Sequence, residues 1–437
     1  MALCVAVFAI SGCSSPPPPP LLDPRVLLAE LREASPALPA DGLDPDAAVA
    51  LALAHDPNLA LLREERAITA AIARAEAAWR NPEFRPSLAN LFSSASQPVS
   101  LALSLRLFLP RPGEGDAQAA RAAALDAKAV ALIEWRAAQL EAEVRVAHAR
   151  VVRLEEETAL ADAALALHER ILAAVAERLA ARAATRADHV LAQLRREELL
   201  DQRGELDLQR AAAHAELAAL IGAEPGLPIA VRRGTELDTA SPPLSELPVP
   251  RELEEQALAR RGDVRALQQE HAAAQQALAL VRDESGFWPG FLEPKAERDS
   301  RERSLGLSAG FELPLFDSGD AELAVEEARV EQARTRYSAA LAGARCEIEL
   351  ARVTCQETER RRQRQSARLA PLLTETEAVV RSMMTAGEGD LTRLLALDAR
   401  LLEARCAAVR AAFEAERARI GFALATGALA PRSAETP

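Results

Sequence analysis

Aromatic side chains are scarce in this chain, 3% of 437 residues, with one tyrosine and three tryptophans. That excludes a bulky core built mainly on ring packing. Glycine and proline are absent from residues 116–203, so nothing there interrupts a helix. No run of about 18 consecutive apolar residues occurs, and no transmembrane helix is expected. The six histidines form no i,i+4 pair and no His-Glu-x-x-His, and no Cys-x-x-Cys accompanies them, so no metal is expected. No Gly-rich phosphate loop is present, which argues against nucleotide hydrolysis. Neither an activated nucleophile nor an acid/base pair stands out, so the chain reads as a non-enzyme with no cofactor. A net charge of −13 disfavours nucleic acid, which needs a basic face.

What is present is alanine, leucine and interspersed charge, arranged twice. Ser100-Leu-Ala-Leu-Ser-Leu-Arg-Leu-Phe-Leu-Pro110 returns about 200 residues later as Ser304-Leu-Gly-Leu-Ser-Ala-Gly-Phe-Glu-Leu-Pro314. Both runs alternate strictly, with an apolar set at Leu101, Leu103, Leu105, Leu107 and Leu305, Leu307, Phe311, Leu313. This is the period of a strand with one face against an apolar medium, and the length suits a tilted membrane strand. Each run follows a weaker extended stretch, giving β-hairpins at 84–110 and 287–315. Long helical stretches follow each hairpin, ending at Leu220-Ile221-Gly222 and Ala425-Thr426-Gly427. A chain reversal is expected near Arg182 to Asp188 and again at Ala386-Gly387-Glu388-Gly389-Asp390, and Pro371 should kink the second outward helix.

These features divide the chain into repeat 1 at 43–222, a Pro-rich linker at 223–249, repeat 2 at 250–427 and a disordered tail at 428–437. Asp44-Pro45 and Asp56-Pro57 read as helix starts, Asp capping and Pro at the first helical position. The leading segment ends in Ile10-Ser11-Gly12-Cys13 followed by Ser14, Ser15 and five prolines. This resembles a bacterial lipoprotein signal over 1–12, with Cys13 acylated and 13–42 a Pro-rich tether. The plainer alternative is an apolar start with a chance cysteine.

Taken together, three segments resemble the outer-membrane efflux protein family, the TolC-like channels of tripartite export systems. They are the opening helix at 43–59, the corner Leu313-Pro-Leu-Phe-Asp-Ser-Gly319, and the reversal Ala386-Gly387 followed by Leu394-Leu-Ala-Leu-Asp398-Ala399. The resemblance implies a mainly α fold with a small β part. Each copy of the duplicated unit would be a β-hairpin plus very long antiparallel helices, in a homotrimeric α-barrel tunnel joined to a 12-stranded transmembrane β-barrel. It further implies a periplasmic adaptor (membrane fusion) protein and an inner-membrane pump as partners. The adaptor would dock at the helix reversals, Ala184, Thr185, Gly387 and Glu388, and the barrel would sit in outer-membrane lipid. Asp188, Asp390 and Asp398 stand near those reversals and read either as an acidic pore constriction or as helix caps and surface charge. A competing reading is a periplasmic helical lipoprotein scaffold without a barrel, in which the leucine faces would pack on the chain's own helices.

Overall fold

The structure is a computed structural model of the full chain, and it describes residues 22–39, 41–89, 100–227, 229–232, 250–284, 288–298, 303–311, 319–386 and 391–429. It is mainly helical. Ten helices and four strands are found among the described residues, and the two halves repeat one plan.

In the first half, Asp44 Oδ1 accepts from the Ala47 N–H at 2.8 Å and starts α2 (Pro45–His55). Asp56 does the same for Leu59 at 2.6 Å and starts α3 (Pro57–Glu76). Each proline sits at the first helical position, where its missing N–H costs nothing. Strands β1 (Glu83–Ala89) and β2 (Ser100–Phe108) form a hairpin. The helix α4 (Glu114–Ala180) then runs unbroken for 67 residues, about 100 Å at the usual rise per residue. Arg182 takes a left-handed φ of 57° at the reversal, so the turn closes without the glycine common at such tips. Thr185 and Asp188 form a reciprocal capping box that opens α5 (Arg186–Ile221), and Gly222 ends it at φ 72°.

The second half repeats this with α6 (Pro250–Arg260), α7 (Gly262–Glu284), β3 (Pro289–Arg298), β4 (Arg303–Phe311) and α8 (Asp320–Arg364). Pro371 does not end the helix. A π turn at Gln365–Leu369 precedes α9 (Ala370–Ala386), with the Ala370 N–H donating to the Gln365 carbonyl. The wider turn absorbs the clash a proline ring imposes on the preceding turn. The return helix is α10 (Leu391–Ala425).

Packing follows the duplication. The long helix α4 packs against α3 and α5 of its own repeat and against α7 and α10 of the other, and these last two also pack on α8. The largest buried cluster joins α2, α3, α4 and α5 through Val49, Leu59, Leu140, Val144, Val151, Leu154, Leu217 and Ile221. Three features lie outside the sequence reading. Leu429, read as part of a disordered tail, is buried against Ile420 and Ala423. Residues 229–232, read as linker, dock back on the fold: Val231 bridges Leu43 in parallel and Ile229 is buried in that cluster. Residues read as tether contain a further helix, α1 (Pro24–Glu33), none of whose side chains is buried.

A four-stranded sheet and a helical tip

The two hairpins form one antiparallel sheet in the order β1-β2-β3-β4, joined across the repeats by β2 and β3. Leu101 pairs with Leu88 on one side and Arg298 on the other, Leu103 with Pro86 and Ala296, and Leu105 with Phe84. On β3 and β4, Ala296 stands across from Leu305, Pro294 from Leu307 and Leu292 from Ala309. Directly opposed positions share a face, so these positions fall on one side of the sheet. Apart from the facing pair Phe108 and Phe291 on the opposite face, the larger apolar positions gather on this side.

No helix covers the apolar face. Leu101, Leu103, Leu105 and Leu107 are each 37–41% exposed, and Leu305 and Leu307 reach 90% and 70%. Phe311 is also exposed, whereas Leu313 lies outside the described residues. At the hairpin end the same face carries Arg298 opposite Arg303, a position that suits headgroups better than hydrocarbon.

The other face holds Glu83, Arg85, Ser87, Ala102, Ser104, Arg106, Glu293, Lys295, Glu297, Ser304 and Ser308. Its charges pair among themselves: Arg85 with Glu83 at 2.6 Å, Arg106 with Glu293 at 3.0 Å and Lys295 with Glu297 at 3.2 Å. Arg106 also stacks 4.0 Å from the centre of the Phe291 ring. A Cβ on Gly310 would stand 2.1 Å from that ring, so only glycine admits Phe291 here.

At the far end of α4, Ala184 and Thr185 form the reversal, with Thr185 exposed. Asp188 is engaged in the capping box, and the Thr185 hydrogen bonds hold its carboxyl below the usual range. Its oxygen accepts from the Thr185 N–H at 2.8 Å, so the cap alternative of the sequence reading is realised in the fold. Gly387, Glu388, Asp390 and Cys13 lie outside the described residues.

Asp398 is 3% exposed within the chain. The sequence pattern gave no sign of this burial, because an aspartate three residues past a Leu-Leu pair fits either a surface or a seam.

Among the described residues, no group of three or more His, Cys, Asp or Glu is arranged to hold a metal ion, and no helix is long and apolar enough to cross a membrane. No family model and no curated protein sequence matches the chain. Solved structures do. It is similar to the outer-membrane channel OprN, with TM-score 0.71 and 18% identity over 88% of this chain and 89% of that one. VceC, an outer membrane protein of Vibrio cholerae, superposes with TM-score 0.69 at 18% identity over 88% of this chain and 96% of its own. The CmeC outer membrane channel of Campylobacter jejuni gives 0.71 at 14% identity, over 89% and 86%. At such identities the likeness establishes architecture, and with the paired hairpins and the four long helices already described, the chain has the fold of the TolC-like outer-membrane channels.

Proposed function

We propose that this protein is the outer-membrane duct of a tripartite export system, conducting substrate passively from an adaptor and an inner-membrane pump to the exterior. One observation carries the reading: the sheet has one apolar face that no helix covers, and the outer edges of β1 and β4 have no strand paired to them among the described residues. The nine residues of β2 or β4 span about 30 Å extended, or about 23 Å when tilted near 40°. That matches the hydrocarbon band of a barrel, about 25 Å tall.

Four strands cannot close, and each unpaired backbone group in lipid costs several kcal/mol. Copies must supply the missing neighbours. The duplication supports a head-to-tail arrangement, because α4 packs on α7 and α10 of the other repeat while α8 has no such packing on the first repeat among the described residues. Exposed apolar residues occur on both surfaces that would meet, Leu61, Ile68 and Ile72 on α3 against Val325, Leu350 and Val353 on α8. A homotrimer would give twelve strands, an even number suited to a closed barrel. In this reading Cys13 is acylated, the adaptor docks at Ala184, Thr185, Gly387 and Glu388, and the helical part stands in the periplasm.

The helical scaffold alternative is disfavoured by the bare leucine face, which a scaffold would bury on its own helices. Spin labels at Leu103 and Leu307 test the choice directly. Contact with acyl chains, with the protein extracted by detergent as a heat-modifiable trimer, is the expected result. Labels reporting water or packed protein would remove the duct.

A further inference from the structure

Near the tip, three buried polar atoms on three helices lack a hydrogen-bond partner among the described residues: His168 Nδ1, Arg195 Nε and Asp398 Oδ2. His168 on α4 is fully buried, and its Nε2 donates to the Ala192 carbonyl of α5 at 2.8 Å. That bond fixes the hydrogen on Nε2 and leaves Nδ1 as a bare acceptor in the neutral ring. Nδ1 has no hydrogen-bond partner among the described residues, and neither has Oδ2 of the buried Asp398 on α10.

The charges that act on Asp398 are Arg195 from α5, His168 from α4 and Arg405 on its own helix. Both arginines have carboxylate partners elsewhere, although the Nε of Arg195 is buried and has no hydrogen-bond partner among the described residues. Arg195 pairs with Glu198 at 3.0 Å, and Arg405 pairs with Glu377 of α9. Asp398 therefore sits in the seam between the α4/α5 hairpin and the α9/α10 hairpin without an ion pair of its own. Burial pushes its carboxyl above the usual carboxylate range, outweighing those three charges.

We propose that the buried Asp398 is a proton-operated latch between the two helix hairpins at the tip. A proton on its carboxyl keeps the seam closed. Its loss leaves a buried carboxylate with no ion pair of its own and favours separation, because in water Asp398 ionises freely. The sign follows from linkage. A carboxyl whose docked pKa is raised contributes to docking below its ordinary pKa, and that contribution is lost as pH rises through the raised value. On the duct reading, the latch sets whether the tip is closed or open.

Hydrogen exchange on the full-length, detergent-solubilised assembly tests this at about pH 5 and about pH 8, corrected for the intrinsic pH dependence of exchange. Protection of residues 394–405 is expected to fall about tenfold between them, one pKa unit's worth of coupling. Residues 140–154 of α4 serve as the internal reference. Asp398→Asn, which cannot ionise, should abolish the dependence and keep the segment protected. Equal protection at both pH values in the wild type would overturn the latch, as would an Asp398→Asn variant retaining the wild-type response. If that variant does not assemble, the wild-type pH series decides alone. Planar-bilayer conductance of the same preparation separates the two proposals. Channels with pH-independent exchange remove the latch, whereas pH-dependent exchange without channels at any pH removes the duct.

Discussion

At the scale of single residues, buried charge marks where the two repeats are joined. Glu157 on α4 is 1% exposed and accepts from Arg153 at 3.1 Å and from Arg410 of α10 at 3.0 Å. Taking a carboxylate out of water costs several kcal/mol, and here two guanidiniums offset it. Glu157→Gln should lower stability by about 2 kcal/mol, seen as an earlier heat-unfolding midpoint of the solubilised protein. An unchanged midpoint would show that the pair does not secure the junction. Glycine acts at the repeat ends. Gly222 and Gly427 adopt φ of 72° and 66°, and a Cβ there would stand 2.9 Å from the His55 Cβ and 2.8 Å from the Arg260 Cβ. Gly222→Ala and Gly427→Ala should each cost about 1–2 kcal/mol from left-handed strain, and more if His55 or Arg260 cannot shift, measured by the same melting experiment.

At the scale of elements, α8 and α10 are tied by Glu359, which accepts from Arg362 at 2.7 Å and Arg419 at 2.9 Å. The Arg362 hydrogen bond first, then Arg419, holds its carboxyl at about 2. A depressed carboxyl stabilises above its ordinary pKa and loses that contribution as pH falls from about 4.5 toward 2. The shift corresponds to about 3 kcal/mol at most. Melting across that window should therefore be steeper for the wild type than for Glu359→Gln. Equal slopes would count against the tie. Glu359 is silent between about pH 5 and about pH 8, so it does not disturb the latch experiment. The π turn at Gln365–Leu369 makes a separate claim. Pro371→Ala removes the reason for it, and exchange protection over 363–369 should rise. If protection stays low, the turn has another cause.

Elements were the most legible level in the sequence. Asp44-Pro45 and Asp56-Pro57 start helices because capping and a fixed φ act within one turn. Alternation over residues 100–108 produces β2 because the pattern is local. The sequence reading did not see α1, whose Asp23-Pro24 start repeats the same signal inside a stretch dominated by prolines. It expected a kink at Pro371 where the chain inserts a wider turn, since a proline inside a helical pattern leaves more than one local remedy.

At the scale of the whole molecule, the fold leaves matching surfaces open at its two ends: strands β1 and β4 of the sheet, and the outer flanks of α3 and α8. Head-to-tail copies would fill both together. Ile68→Asp with Ile72→Asp on α3 should place carboxylates in that contact and yield monomers in native mass spectrometry, while leaving the helix content by circular dichroism intact. A trimer surviving both changes would require another interface. The sequence by itself determined the duplication, the helix starts, the long uninterrupted helix and the two-faced strands, because each depends on residues a few positions apart. Tertiary structure alone decided that β2 pairs with β3 across the repeats, that Val231 returns to Leu43, and that Asp398 is enclosed beside His168. Those outcomes depend on which helix flanks meet over separations of more than a hundred residues, and no local pattern carries that information.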